Sequence, residues 1–168
     1  RLERIDLYQL HRIDPKVPVE ESLGALVDLQ KAGKIRHIGL SEVTQKEIER
    51  AQKTARIVSI QNKYNISDRS PDTEAALTFC ERNKLAFIPW FPVAAGKLAD
   101  SGGALDSAAK KHHVTLAQLS IAWLLHRSPV MLPIPGTSSL EHLEENVGSA
   151  GVRLSAEEWE GLEQAARS

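Results

Sequence analysis

Five residues that could do chemistry each follow a short apolar segment with the composition of a buried strand. They are His11, Ser41, Gln61, Trp90 and Gly136. Imidazole, hydroxyl and amide groups can orient a ligand by hydrogen bonding, and an indole can support a flat ring. Helical sequence follows all five segments, and in a parallel α/β barrel the strand ends share one face. The pattern therefore predicts an enzyme whose active site lies on one rim.

The elements that must position these residues are five parallel strands, predicted over residues 5–10, 35–40, 58–60, 85–89 and 130–134. A Thr or Ser three residues before a Glu or Gln predicts helix starts at Thr44, Thr115 and Ser155. Five βα units are too few for a closed eight-stranded barrel of ~250 residues. The sequence therefore indicates part of a barrel, with about 90 residues or more expected on the N-terminal side.

Composition excludes several classes of function. The net charge of −1 argues against binding to nucleic acid or an anionic membrane through bulk electrostatics. No apolar run approaches the ~20 residues that span a bilayer. The single cysteine, Cys80, favours a reducing, cytoplasmic location and is expected to be a partly buried small side chain. His112 and His113 lack carboxylate or thiol neighbours in the sequence, so no metal site is expected.

The segments around the five residues resemble successive strand ends of the aldo-keto reductase family, from its fourth strand onward. The motifs are Asp6-Leu7-Tyr8-Gln9-Leu10-His11, Gly39-Leu40-Ser41-Glu42-Val43, Gln61-Asn62-Lys63-Tyr64-Asn65, Pro89-Trp90-Phe91-Pro92 and Ile134-Pro135-Gly136-Thr137-Ser138, with Glu141 to Asn146 in the helix that follows. Each motif is weak alone, but the five occur in the family's order and spacing across the chain. The resemblance implies that residues 1–168 form one domain, the C-terminal part of a TIM (β/α)8 barrel.

This resemblance also implies NAD(P)H-dependent reduction of aldehydes or ketones. Of the family's catalytic Asp, Tyr, Lys and His, only His11 has a counterpart, and it would polarise the carbonyl. A satisfied structural histidine is the alternative. Tyr8, in a strand, and Tyr64, in a loop, do not match the proton donor. The 168 residues alone are therefore expected to be inactive.

Three polar residues would hold the nicotinamide carboxamide by the same resemblance: Ser41, Glu42 and Gln61. Glu42 stands where relatives often have Asn, and its carboxylate cannot donate a hydrogen bond to the amide carbonyl. Ser41 and Gln61 could instead cap exposed backbone groups at the strand ends.

An aromatic residue and the loop after it would cover the cofactor. Trp90 would stack on the nicotinamide, unless it is a core residue. Phe91 replaces a Ser that often faces the pyrophosphate in relatives. The segment carrying Val93, Gly96 and Lys97 would fold over the cofactor, with Lys97 either near its phosphates or merely solvated.

The remaining predicted contacts concern the adenosine end of the cofactor. Gly136, Thr137 and Ser138 precede a helix, whose first N–H groups favour phosphate, and Ser138 with Glu141 also has capping-box spacing. By resemblance this turn binds the 2′-phosphate of NADPH, with His142 where Arg is common, so NADH remains an alternative. Glu145 and Asn146 match residues on the adenine side.

Two other classes of protein stay open. The chain could be a non-catalytic nucleotide-binding or partner-binding module, as in the potassium-channel β subunits that the family resemblance also includes, or an inert fragment with exposed strand edges. Trp123 and Trp159, at helical spacing among leucines, are predicted to be core residues. A small carbonyl compound is the expected partner, and the sequence assigns no oligomeric state.

Overall fold

The computed structural model of the chain describes residues 2–93 and 104–165. The chain divides into two compact units, the first formed by Arg1–Asn62 and Ser70–Ile88, and the second by Lys63–Arg69 and Pro89–Ser168. No helix in the described ranges has both the length and the apolar character that crossing a membrane requires.

The first unit contains a parallel sheet of four strands in the order β1-β2-β3-β4. The strands are β1 (Ile5–Leu10), β2 (Ile35–Ser41), β3 (Ile57–Gln61) and β4 (Ala86–Phe87). Helices α1 (Val19–Lys31), α2 (Gln45–Ala51) and α3 (Pro71–Asn83) connect them, as parallel pairing requires. The first three predicted strands are confirmed, while the fourth is shorter than predicted because pairing with β3 involves only two residues.

Local sequence explains where the helices of this unit begin and end. Thr44 and Glu47 form the predicted capping box at the start of α2. Ser70 caps α3, with Pro71 in the first turn, where a missing N–H costs nothing. Gly33, just after α1, has a φ of +72°, a left-handed conformation that glycine adopts without a steric penalty.

The core of the first unit lies between the sheet and its helices. The strands contribute Ile38, Leu40, Ile60 and Phe87, all fully buried, and the helices contribute Leu23, Ile48, Leu77 and Cys80. Burial raises the pKa of the Cys80 thiol to about 12. Cys80 is therefore more deeply buried than the partly buried side chain predicted from the sequence, and its raised pKa makes it unreactive.

The second unit is built from helices α4 (Ala104–His112), α5 (Leu116–Arg127), α6 (Leu140–Gly148) and α7 (Ala156–Ala165), with a short 3-10 helix at Ser149–Gly151. Capping boxes at Thr115 and Ser155 start α5 and α7, as predicted. The predicted fifth strand, residues 130–134, is wrong: only Met131 makes an isolated bridge. A strand needs a ladder partner, and no strand in the described ranges pairs with this segment.

An aromatic stack forms the centre of the second unit. Trp123 is fully buried and stacks with Tyr64 at a ring-centroid distance of 6.0 Å and with Trp159 at 5.3 Å. The Arg69 guanidinium lies 5.1 Å from the Trp123 ring centroid and binds the Glu163 carboxylate at 2.8 and 2.9 Å. Trp123 and Trp159 are therefore packing residues, as predicted.

Candidate functional site

The strand register of the first unit brings three predicted site residues to the same level of one sheet edge. Leu10 pairs with Leu40, and Ser41 pairs with Gln61. His11, the next residue after Leu10, therefore lies beside Ser41, and neighbouring strands are about 4.8 Å apart. In this unit, three of the five residues predicted to form the rim lie side by side at the ends of adjacent strands, in the order His11, Ser41 and Gln61.

A polar layer lies one pleat below this rim. Gln9, Gly39 and Ser59 each precede a rim residue by two positions, and alternation puts both layers on the same face of the sheet. Gln9 Nε2 donates to Ser59 Oγ at 3.3 Å, a contact that passes over Gly39 on the intervening strand. A Cβ at Gly39 would overlap the Ser59 hydroxyl and lie 2.9 Å from Gln9 Cγ. Gly39 thus permits the bridge by having no side chain.

Glu42 is held in an unusual backbone conformation directly after Ser41. Its φ is +54°, in the left-handed region that Gly and Asn tolerate better than Glu. The Glu42 N–H donates to the Gln61 carbonyl at 3.0 Å, and the carboxylate faces the Arg12 guanidinium, with Nη1 and Oε2 3.8 Å apart. Glu42 therefore presents a negative group at the rim, paired with a cation that the sequence analysis did not single out.

Buried Asn62 fixes the segment that follows Glu42. Its side chain accepts from the Val43 N–H at 3.1 Å and donates to the Val43 carbonyl at 2.7 Å. This clamp was not predicted, although an Asn beside Gln61 at a strand end was the available signal. It holds the loop after β2 next to the loop after β3.

In the second unit, two residues of the motif after β3 hold the Trp90–Phe91 backbone. The Tyr64 N–H donates to the Trp90 carbonyl at 3.4 Å, and Asn65 Nδ2 donates to the Phe91 carbonyl at 3.1 Å. Phe91 has a φ of +59° and is 42% exposed, and Trp90 is half-buried. Trp90 is thus available at the surface of this unit rather than enclosed in its core.

Lys63 is the cation beside these two rings. Its Nζ lies 6.0 Å from the Trp90 ring centroid and 5.7 Å from that of Phe91, within range of a cation–π interaction. The predicted Gly96 and Lys97 lie outside the described residues.

A cavity of about 440 Å³ in the second unit collects most of the predicted adenosine-end residues. Thr115, Ala117 and Pro135 complete its lining. The predicted residues that line it are Val93, Gly136, Thr137, His142, Glu145 and Asn146. Ser138 is exposed and does not contribute.

Helix α6 begins directly after the turn that contains Gly136 and Thr137, two residues of the cavity lining. The capping residue is Ser139, whose Oγ accepts from the His142 N–H at 3.4 Å, and Thr137 Oγ1 accepts from the Ser139 N–H at 3.1 Å. The predicted capping by Ser138 is wrong because the helix begins at Leu140, one residue later than that spacing requires. The helix end supplies partial positive charge, and among the described residues that line the cavity His142 is the one basic side chain.

His112 has the carboxylate partner that the sequence did not reveal. Its Nε2 lies 3.0 Å from Glu158 Oε1, and Lys111 Nζ lies 2.6 Å from the same oxygen. The Lys111 ammonium and the Ser155 N–H lower the pKa of Glu158 to about 2. His112 thus belongs to a structural ion cluster between α4 and α7. In the described ranges, no three metal-binding side chains cluster.

Parallel strands joined by crossover helices, with polar residues in register at their carboxyl ends, define an α/β protein of the (β/α) barrel class. The chain belongs to the aldo-keto reductase family, whose family model, described as Aldo/keto reductase family, matches residues 1–167. The resemblance seen in the five strand-end motifs is thereby confirmed.

Curated relatives extend beyond the length of this chain. An uncharacterised oxidoreductase of Schizosaccharomyces pombe is 47% identical over 167 residues, covering 99% of this chain and 54% of that protein. The pyridoxine 4-dehydrogenase of Escherichia coli is 40% identical over 139 residues, covering 83% of this chain and 48% of that protein. The chain therefore spans about half the length of the curated relatives it matches.

Solved structures confirm the fold class. A thermostable aldo-keto reductase crystallised with the inhibitor epalrestat matches with a TM-score of 0.91 and 34% identity, over 97% of this chain and 60% of that one. An aldo-keto reductase from Klebsiella pneumoniae in complex with NADPH matches with a TM-score of 0.85 and 30% identity, over 96% and 58% of the two chains. This chain corresponds to part of a TIM barrel.

Proposed function

We propose that residues 1–168 form the C-terminal part of the barrel of an NAD(P)H-dependent oxidoreductase. This enzyme reduces the carbonyl of a small aldehyde or ketone in the cytoplasm. The observation that carries this proposal is the register of His11, Ser41 and Gln61 across three adjacent strand ends. Membership of the aldo-keto reductase family supports it.

In the first unit, the rim residues have distinct roles. His11 donates a hydrogen bond from its neutral imidazole to the substrate carbonyl oxygen, orienting the carbonyl and stabilising the negative charge that develops there. Ser41 and Gln61 hold the nicotinamide carboxamide, and Glu42 accepts from its NH2 group. When bound, the cofactor supplies a hydride from the nicotinamide to the carbonyl carbon.

In the second unit, the cavity lining fits the phosphate and adenosine end of the cofactor. The turn at Gly136 and Thr137 offers the Thr137 hydroxyl and leads into α6, whose first N–H groups suit a phosphate. Ser138, in the same turn, is exposed outside the cavity lining. His142 adds a donor that becomes cationic when protonated, and Glu145 and Asn146 contact the adenine side. NADPH is the favoured cofactor, because the Thr137 hydroxyl and His142 suit a 2′-phosphate. NADH is the alternative, since the described residues of the cavity lining include no Lys or Arg.

Trp90, in the second unit, offers a flat surface of the kind on which a nicotinamide ring stacks. Half-buried Trp90 stacks on the ring. Phe91 offers no hydrogen bond to the pyrophosphate, and the Lys63 ammonium beside both rings is already paired with the Asp68 carboxylate at 2.5 Å. Val93, Gly96 and Lys97 belong to the segment proposed to cover the cofactor.

The alternative is a nucleotide-binding or partner-binding module without catalysis. One observation favours it: the cavity that fits the adenosine end of the cofactor lies within the second unit, and its described lining contains no proposed catalytic residue. An intact mass above 18.5 kDa for the protein isolated from its source, with an Asp, a Tyr and a Lys in the additional sequence, would favour the enzyme.

The reductase proposal is tested with His11→Ala in the protein at its natural length. Turnover of aldehydes with NADPH should fall to a small fraction of the wild-type rate while NADPH affinity is retained, because His11 acts on the carbonyl. His113→Asn, at an exposed site with a φ of +53° that Asn accepts, is the matched control. Full turnover by His11→Ala would refute the role of His11.

Cofactor binding is tested separately with Trp90→Ala. Loss of the stacking surface should weaken NADPH binding by about tenfold, a loss of about 1.4 kcal/mol, as measured by fluorescence titration. An unchanged dissociation constant would leave Trp90 as a packing residue.

A further inference from the structure

We propose that Arg12 binds a carboxylate on the substrate, so that the preferred substrates are small oxo acids, that is, aldehydes or ketones that also carry a carboxylate. This inference rests on the reductase function proposed above and names its substrate class. The sequence motifs at the strand ends did not indicate a binding site for a carboxylate.

Arg12 directly follows the rim residue His11, and its guanidinium lies 3.8 Å from Glu42, the residue after the rim residue Ser41. β1 ends at Leu10, His11 is the rim residue, and Arg12 follows it directly. The Arg12 side chain is 62% exposed. Within residues 2–93 and 104–165 its guanidinium makes no hydrogen bond, so its five N–H donors remain available to a ligand.

Glu42 orients this guanidinium without consuming its donors. The separation of 3.8 Å between Nη1 and Oε2 is an electrostatic contact, longer than a hydrogen bond. Glu42 is itself anchored by its N–H bond to Gln61 and by the clamp of Asn62 on Val43. The attraction of Glu42 therefore biases the Arg12 guanidinium towards the rim before a substrate arrives, which lowers the entropy cost of binding.

The nearby charges leave Arg12 as the group that selects an anion. Asp14 lies two residues further along the same loop, and its Oδ1 accepts from the Lys16 N–H at 2.8 Å. That carboxylate is therefore engaged within its own turn. A guanidinium fork matches a carboxylate in shape and charge, and an arginine–carboxylate contact is stronger than a neutral hydrogen bond.

The test compares two substrates of equal chain length in the protein at its natural length: succinate semialdehyde, which carries a carboxylate, and butanal, which does not. The kcat/KM for succinate semialdehyde, divided by that for butanal, should fall by roughly tenfold to a hundredfold in Arg12→Met. The fall should come from a higher KM for succinate semialdehyde. Arg12→Lys should fall in between because it keeps the charge but loses the fork. Arg36→Met is the matched control, since Arg36 is 57% exposed and lies 3.8 Å from Asp6 near the start of β2, away from the rim.

Three outcomes separate the two proposals. An unchanged substrate ratio in Arg12→Met, or an equal fall in Arg36→Met, would overturn the role of Arg12 while leaving the reductase intact. Absence of reduction of both substrates by the wild type would overturn the proposed function. Calorimetric titration with succinate then still decides the role of Arg12: binding that weakens tenfold or more in Arg12→Met supports it, and equal or undetectable binding refutes it.

Discussion

Gly39→Ala should destabilise the protein because β2 passes directly beneath the Gln9–Ser59 hydrogen bond. An added Cβ would overlap the Ser59 hydroxyl and lie 2.9 Å from Gln9 Cγ, and Ser59 is 1% exposed. Overpacking of this kind costs about 1–3 kcal/mol, and displacing the hydroxyl removes a hydrogen bond worth about 1 kcal/mol. The entropy gained on replacing Gly returns about 0.5–1 kcal/mol. The net expectation is a loss of about 2 kcal/mol.

The assay is urea unfolding followed by far-ultraviolet circular dichroism, and Gly24→Ala provides the matched control. Gly24 lies inside α1 with no heavy atom within 4 Å of an added Cβ. The same substitution there should stabilise the protein by about 0.5–1 kcal/mol, because Ala has the higher helix propensity. The two glycines thus give opposite signs for one chemical change.

A double-mutant cycle with Ser59→Ala tests the mechanism directly. Ser59→Ala alone should cost about 1 kcal/mol through the lost hydrogen bond, but it removes the atom that the Gly39→Ala methyl meets. The double variant should therefore cost at least about 1 kcal/mol less than the sum of the single variants. Additive effects, or a neutral Gly39→Ala, would refute the steric reasoning.

Three further substitutions or treatments test other parts of the structure. Glu42→Asn should raise stability by up to about 1 kcal/mol in thermal unfolding, since Asn tolerates a φ of +54°; a lower Tm would contradict the assignment of strain. The Glu158 carboxylate, with a pKa near 2 in place of 4.5, stabilises the fold above pH 4.5 and loses that effect as the pH falls towards 2. Glu158→Gln should therefore cost about 1 kcal/mol at neutral pH and show a shallower decline below pH 4.5 in urea unfolding. Cys80, fully buried with a pKa of about 12, should react with a thiol reagent at pH 8 only on unfolding, and rapid labelling of the native protein would contradict its burial.

The elements that the sequence predicts correctly are those determined by local patterns. Capping boxes at Thr44, Thr115 and Ser155 start their helices as predicted, because both partners lie within four residues. At the start of α6, two adjacent serines offer competing registers, and Ser139 caps in place of Ser138. The spacing to Glu141 alone could not distinguish them.

Strands depend on partners that a local pattern does not contain. Residues 130–134 are as apolar as those of β1, yet they form no strand, and Leu132 and Ile134 are 56% and 46% exposed. Apolar composition therefore predicted which segments could form strands. Whether a segment forms one depends on a partner strand from another part of the chain. The same reason limits β4 to two residues.

The candidate site divides along the same line. The rule that parallel strands present their carboxyl ends at one edge was sufficient to predict His11, Ser41 and Gln61 as neighbours. The pairing of Arg12 with Glu42 was not predictable, because both residues lie beyond the strand ends, where no ladder register relates their positions. Side-chain contacts between residues in loops are thus the part of the site that a single sequence does not predict.

The two units use different chemistry where each is proposed to meet a negative ligand. In the second unit the candidate phosphate site offers hydroxyls and helix N–H groups, and His142 is the one basic side chain among the lining residues that the structure describes. Such donors act over hydrogen-bond distances, so shape and the position of each oxygen determine recognition. In the first unit Arg12 offers a permanent charge on an exposed side chain, whose attraction acts over a longer range and is weakened by salt. The hydrogen-bonding site of the second unit suits a cofactor that is always the same molecule. The charged Arg12 of the first unit suits substrates that share only a negative group.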